Sequence, residues 1–448
     1  MMTPIRRLII LGLTIGTVSA QTGPALSLED VVRMALEQNQ SLRINEVETQ
    51  RSLSQAKSSL SIILPRVDLS LSGNLSGYHP ALFDTTNLAI PGTEIVFPQI
   101  EPTGEYGEVD WNDRYNLSLN LSQNVWDGGR WWNTLKSAQV SADVADIQYH
   151  SYKLATIYQA KVAFYQYLST SRLLDVYREN YTTNEYQHNL TLERFRLGAA
   201  SQNDTLRTRV AIEQSRLQIL NGETDLADKR KELNLILGRE WDEPITLLEP
   251  EWDPVEIPPL EDIVQEALTT SPSIQLLDRN LQVAGYNVKI ARSEYIPSLY
   301  FSASYGNYSA DPGDLLAEDN LSLSTGLSLS WNLTNGTQKM RTVEQSRLSR
   351  RLAEENLDLN QRTLRKNVAQ VLEQMETLQR TVDISRLIED ASAQDLLLAQ
   401  EQYQVGSISI LDVLRISNSH EDAKANLIRA RYNLKIVEAQ LYQLIGRQ

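Results

Sequence analysis

Two periods of apolar and polar residues share this chain. From Arg66 to Tyr78 the odd positions carry Val67, Leu69, Leu71 and Leu75, and the even ones Asp68, Ser70, Ser72, Asn74 and Ser76. The period of two returns in three further places. Tyr115, Leu117, Leu119 and Leu121 alternate with Asn116, Ser118, Asn120 and Ser122; Leu299, Phe301, Ala303 and Tyr305 with Ser298, Ser302 and Ser304; Leu321, Leu323, Leu327 and Leu329 with Ser322, Ser324, Ser328 and Ser330. Successive strand side chains point to opposite faces, so the pattern predicts four amphipathic strands, at about 66–78, 113–126, 298–308 and 320–333. Each is roughly ten residues, the length a tilted strand needs to cross a bilayer. None of these apolar positions is charged, and Trp111, Tyr115, Trp126 and Trp331 stand where an aromatic girdle belongs. Faces of Ser and Asn suit a wet lumen.

Elsewhere the spacing is three-four, as in Leu135, Ala138, Ala142, Ala145, Tyr149, Tyr152 and in Leu427, Ala430, Leu434, Val437, Leu441, Leu444. That is the seam of packed helices. No proline occurs in 104–243 or in 314–448, as long helices require, because an interior proline costs roughly 3 kcal/mol. The chain is also written twice. Leu28-Glu29-Asp30-Val31-Val32 returns as Leu260-Glu261-Asp262-Ile263-Val264, and Phe195-Arg196-Leu197-Gly198 as Tyr403-Gln404-Val405-Gly406. The offset shrinks from 232 to 208, so the first copy holds a longer insertion between its strands. The predicted organisation is a first repeat over 21–238 with a tip near 198–204, a Pro-rich segment over 239–259, and a second repeat over 260–448 with a tip near 406–412. Counting about 68 helical residues from Trp126 to Gly198 puts that tip roughly 100 Å from the strands. Helices over 28–64 and 260–296 are half that length, so both termini and the Pro-rich segment are expected to form a collar at mid-height.

Arg6 and Arg7 precede an apolar run, Leu8 to Val18, and then Ser19-Ala20. This predicts a secretory signal over 1–20, cleaved after Ala20, since the run is too short to span a bilayer. Gln21 in place of Cys leaves no lipid attachment there. Losing two arginines and no acid takes the formal charge from −15 to −17, which argues against nucleic acid as a partner. With no cysteine there is no disulfide or thiolate chemistry. His79, His150, His188 and His420 are scattered without metal-ligand spacing, and no phosphate loop or nucleophile elbow is present. No cofactor is expected, and no enzyme. The acids fall on polar helix faces and in a loop over 79–112.

Four strands cannot close a barrel, and open edges in hydrocarbon leave backbone groups unpaired, so several chains must share one. Two chains would supply eight strands and three would supply twelve. Trp126-Asp127-Gly128-Gly129, between strand and helix, and the run from Tyr403 through Gly406-Ser407 to Asp412-Val413-Leu414 resemble the TolC/OprM family of outer-membrane efflux proteins over essentially the whole mature chain. The resemblance implies a mainly α fold with a membrane β-barrel: a homotrimer sharing twelve strands in the outer membrane above a long helical barrel in the periplasm. It further implies a passive channel for efflux or type I secretion, docked to a periplasmic adaptor and an inner-membrane pump or ABC exporter. The alternative is a periplasmic coiled-coil structural or adaptor protein without a pore, which has no use for Ser-faced strands.

Within that resemblance the turns at Gly198-Ala199 and Gly406-Ser407 are the expected adaptor contacts. The family narrows its tunnel at the tip with tyrosine, aspartate and arginine. Tyr403, Asp412 and Asp204 occupy such positions, whereas Ile408 stands at the arginine position and Arg415 at that of a second aspartate. An Asp–Arg latch, with Arg415 paired to Asp412 or Asp204, is the resulting expectation. Ser201-x-x-Asp204 and Ser409-x-x-Asp412 also read as helix-capping boxes, and one residue can serve both roles.

Overall fold

The computed structural model describes residues 25–447 apart from 90, 92–93, 95, 253–256 and 318–320. The signal reading of 1–20 lies outside the described residues. In chain order the elements are α1 (Leu28–Gln38), α2 (Gln40–Ser58), β1 (Arg66–Tyr78), β2 (Ala81–Ala89), β3 (Val96–Tyr106), β4 (Asp110–Trp126), α3 (Arg130–Arg196), α4 (Gln202–Ile236), α5 (Leu260–Thr270), α6 (Pro272–Ser293), β5 (Ser298–Ser309), β6 (Ser322–Ser330), α7 (Gln338–Val405) and α8 (Ile410–Ile445). The duplication is plain in this order: two helices, strands and two helices, twice over, with the extra pair β2 and β3 inserted between the strands of the first copy. The proline-free stretches give α3 and α7 unbroken runs of 67 and 68 residues, about 100 Å of helix each. No described helix is apolar enough to cross a membrane. Two units emerge, one of residues up to Thr49, Asp146–Leu276 and from Asp358 on, the other of Gln50–Ala145 and Leu277–Leu357.

The second unit holds every described strand. Four of them form one antiparallel sheet in the order β1-β4-β5-β6. Its register keeps like with like: Leu69 faces Leu119, which faces Tyr305, which faces Leu323. One residue along, Asp68, Asn120, Ser304 and Ser324 stand in a row on the opposite face. A slip of one residue would exchange the faces, so the shared parity of the four strands specifies the pairing. Among the described residues the outer edges of β1 and β6 have no neighbouring strand. The stretch 79–112, expected as a loop, instead contains a hairpin of β2 and β3, and β4 begins at Asp110. Gly107 donates its N–H to Pro80 O at 2.8 Å where this hairpin continues from β1 and β4. Alternation there is interrupted by Pro98 and Pro102, which hid the strands from a period-two reading.

The other unit is helical. Its main core gathers Val31 and Ala35 of α1, Ala160, Ala163, Phe164 and Leu168 of α3, Leu233 of α4, Leu237, and Tyr432 of α8. Leu427, Ala430, Leu434, Val437 and Leu441 are buried, as their spacing predicts. The acidic stretch after α4 packs on this core: Leu26 and Leu247 form a bridge, Trp252 meets Tyr432 edge-on, and Glu249 accepts from Arg172 and from Tyr432. Burial pushes the Glu249 carboxyl up, but these bonds and the Arg172 charge hold it below the usual carboxylate range.

The helices expected over 28–64 and 260–296 are each broken. Asn39 ends α1, and its side chain donates to Ile236 O at 2.9 Å. Ser271 ends α5 and Pro272 starts α6, the position where proline is tolerated. Each break seats the end of its own repeat's last helix. Gly238 has φ 67°, and a Cβ there would lie 2.3 Å from Gln38 O; Gly446 has φ 79°, and a Cβ would lie 2.7 Å from Thr270 O. Only glycine permits both the left-handed turn and that approach.

Candidate functional site

On the polar face of the sheet the hydroxyls and amides bond to one another. Ser70 and Ser118 share a 2.8 Å bond, Asn120 donates to Ser118 Oγ at 3.0 Å, and Ser304 donates to Asn120 Oδ1 at 2.7 Å. The opposite face leaves Leu69, Leu71, Leu75, Leu323, Leu327 and Leu329 exposed. An apolar face this bare requires a cover other than water.

Asp127, in the turn from β4 to α3, is buried and accepts from Trp131 N at 3.0 Å and from Asn124 Nδ2 at 3.2 Å. It thereby satisfies a free amide at the start of α3. Gly128 (φ 69°) and Gly129 (φ 83°) turn the chain, and a Cβ on Gly128 would strike Ile296 at 2.7 Å. Trp126-Asp127-Gly128-Gly129 is therefore a structural hinge piece joining strand to helix.

At the other expected site, α3 ends at Arg196 and Gly198 turns with φ 74°; α7 ends at Val405 and Gly406 turns with φ 84°. Ala199 and Ser407 are exposed. Ser201 caps α4 through a full capping box with Asp204, whose carboxyl these bonds hold below the usual carboxylate range. Ser409 caps α8, donating to Asp412 Oδ2 at 2.7 Å and accepting from Asp412 N at 3.3 Å. Arg415 stands 3.9 Å from Asp412 on the same helix, both exposed. Among the described residues no hydrogen bond or ion pair joins Asp204 to Asp412 or to Arg415.

Tyr403 is differently placed. It is buried with Ile410 and Val413, against Leu190, Ile408 and Leu414. Its hydroxyl shares a 2.9 Å bond with Thr191 of α3. Arg194, also on α3, lies 4.8 Å over the Tyr403 ring and donates to the Tyr403 carbonyl, with Gln404 O at 3.4 Å. A guanidinium there meets both the ring face and the negative end of α7. Sequence reading missed Arg194 because the repeat places Gln402 opposite it, so no duplicated motif marks it.

A second missed feature lies along α3. Asn180, Asn184, Gln187 and Thr191 follow the helical seam spacing and are all buried. Asn180 donates to Glu421 of α8, Asn184 donates to Ser215 of α4 at 2.7 Å, and Ser417 of α8 is 3.5 Å from Asn180 Oδ1. Among the described residues neither polar atom of the Gln187 amide has a hydrogen-bond partner. Polar residues at three-four spacing in a seam were the available signal.

The family model described as "Outer membrane efflux protein" matches residues 31–239 and again 263–447. The toluene efflux pump outer membrane protein TtgC of Pseudomonas putida is 23% identical over 368 residues, 78% of this chain and 75% of that one. TolC of Vibrio cholerae is 24% identical over 342 residues, 75% and 77% of the two chains. Among solved structures, CusC superposes with a TM-score of 0.81 at 18% identity, covering 94% of this chain and 92% of that one. The Campylobacter jejuni CmeC outer membrane channel gives 0.79 at 18% identity, covering 99% and 94%.

Proposed function

The chain belongs to the outer membrane efflux protein family, and on that premise we propose that it is the passive channel of an efflux pump, three copies sharing one twelve-stranded barrel. The observation that carries this reading is the four-stranded sheet with one apolar face, one polar face and two edges unpaired among the described residues. Joining β6 of one copy to β1 of the next removes every edge, which hydrocarbon demands. Unpartnered stripes on α4 (Leu206, Val210, Leu217, Leu220) and on α7 (Ile384, Leu387, Ile388, Leu398) support ring assembly, since each needs a helix from another chain. Detergent should be needed to recover the protein from outer membranes, and full recovery in the soluble periplasm rejects the channel. Leu119→Arg should weaken assembly by about 2–4 kcal/mol per chain and Ser118→Arg far less; equal membrane yields would reverse the assignment of faces.

The two tips are proposed as the contact with a periplasmic adaptor that links the channel to an inner-membrane pump. Leu197 and Val405, equivalent in the two repeats, are among the most exposed apolar residues described, and together with Ala199 and Ser407 they offer a docking surface. Tyr403, Asp204, Asp412 and Arg415 are proposed to form the entrance. Arg194 on Tyr403 is the link within one chain, and Asp412 the carboxylate toward the pore. Arg194→Ala should raise single-channel conductance in planar bilayers, and Asp412→Ala should weaken cation selectivity. If both variants conduct as the parent does, Asp412 keeps only its capping role and the tip is not the constriction.

A further inference from the structure

We propose that the polar seam beside the tip is a protonation switch, in which Glu421 titrates and Lys424 changes partner. The proposal rests on the channel reading for its consequence, though not for its geometry. Glu421 is buried where α8 packs on α3, at the wall of a small, partly open cleft of about 60 Å³ lined also by Glu179, Asn180, Thr183, Ser417, His420 and Lys424. Its hydrogen-bond partners are amides, Asn180 of α3 and Gln218. Among the described residues no ion pair is formed by its carboxylate, and Lys424, one turn along α8, instead reaches across to Glu179 of α3.

The charged and titratable groups around Glu421 are few. From α8 they are His420, Asp422 and Lys424, and from α3 Glu179. His420 is bonded to Ser392 of α7 at 3.0 Å. The groups meeting the seam from α4 and α7, Ser215, Gln218, Ser392 and Leu396, are uncharged. A buried carboxylate without a cation is the costly arrangement, and a neutral carboxylic acid among amides is not. Burial pushes the Glu421 carboxyl above the usual carboxylate range; the Asp422 charge adds to this, and the bonds from Gln218 and Asn180 oppose it.

The sign follows. A carboxyl whose value is raised in the closed packing stabilises that packing while protonated. The contribution is complete below the ordinary carboxylate value and disappears as pH rises through the raised one. Once ionised, Glu421 competes for Lys424, which sits at i+3 on its own helix and in the same cleft. Taking Lys424 from Glu179 removes a bond between α8 and α3, and the seam loosens nine residues from Asp412.

The test uses the absence of cysteine from the natural chain. Ser417→Cys places one thiol in the buried seam, and Ser407→Cys places one on the exposed turn as a control for thiolate ionisation. Maleimide labelling of the full-length protein in detergent, expressed as the ratio of seam to control, should rise from pH 5 to 8, by at most ~10-fold per pH unit. Glu421→Gln in the same background should hold the ratio at its low-pH value. A ratio that does not change with pH, or one that changes equally with Glu421→Gln, overturns the switch. Conductance of the same proteins should follow the same titration. Labelling that titrates in a protein that never conducts supports the switch and rejects the channel reading.

Discussion

The helix α3 passes through two kinds of packing between Ala160 and Thr191. Around Phe164 its buried positions are Ala160, Ala163, Phe164 and Leu168, closed by Leu233, Leu237 and Tyr432. From Asn180 to Thr191 the same seam is occupied by amides and hydroxyls, facing Thr208, Ser215, Ser417 and Glu421. The first region gains about 25 cal/mol for each Å² of apolar surface removed from water. The second gains little net, because a buried hydrogen bond replaces one with water and leaves roughly 1 kcal/mol. Secondary structure is identical in both, so the difference in stability lies wholly in the side chains. A long helix can be clamped in one stretch and yielding in the next, and the yielding stretch here adjoins the tip.

The sharpest contrast comes from truncating each region. Phe164→Ala should cost about 3–5 kcal/mol, measured as a lower denaturant midpoint of the protein in detergent. Asn184→Ala should cost far less, and equal losses would erase the distinction between the regions. The helix ends that close the first region come next. Gly238→Ala places a side chain in a left-handed conformation, at about 1–2 kcal/mol, and adds a collision with the Gln38 carbonyl. Gly446→Ala should behave alike, and thermal denaturation that treats the two differently would break the symmetry of the repeats.

Within the polar seam the expected sign reverses. Gln187→Leu removes a buried amide whose two polar atoms have no partner among the described residues and should stabilise by about 1–3 kcal/mol, while reducing export if the seam must yield. A destabilised variant would mean that the amide is satisfied in the assembled channel. Smallest of all is Arg415→Ala: an exposed pair at 3.9 Å contributes under ~0.5 kcal/mol, so its midpoint should not move. A shift of a full kcal/mol would place Arg415 in a contact between chains. Acid offers a further handle on the tip, since the Asp204 box contributes above the ordinary carboxylate value and is lost as pH falls through its lowered one.

Much of the fold was legible because it depends on periodicity. Four strands, two long helix pairs and the duplication all follow from spacing along the chain, and local geometry converts spacing directly into faces. The hairpin at 81–106 was not legible, since its prolines interrupt alternation. The breaks at Asn39 and Ser271 were hidden as well, because each is dictated by a distant helix end seated against it. At the tip the two capping motifs were readable, Ser201 with Asp204 and Ser409 with Asp412, for capping needs only residues three apart.

What the sequence by itself determined is therefore what neighbours along the chain set: helix or strand where the period is unbroken, the apolar face of each such element, the caps, and the need for a partner at the sheet edges. Only the tertiary structure decided which residues meet across helices. Arg194 reaches Tyr403 across 209 positions and Asn180 reaches Glu421 across 241, and no local period encodes such a pair. Whether a buried polar residue is paired, and with what, is a property of the packed seam, because its energy depends on groups that come together only when the helices do.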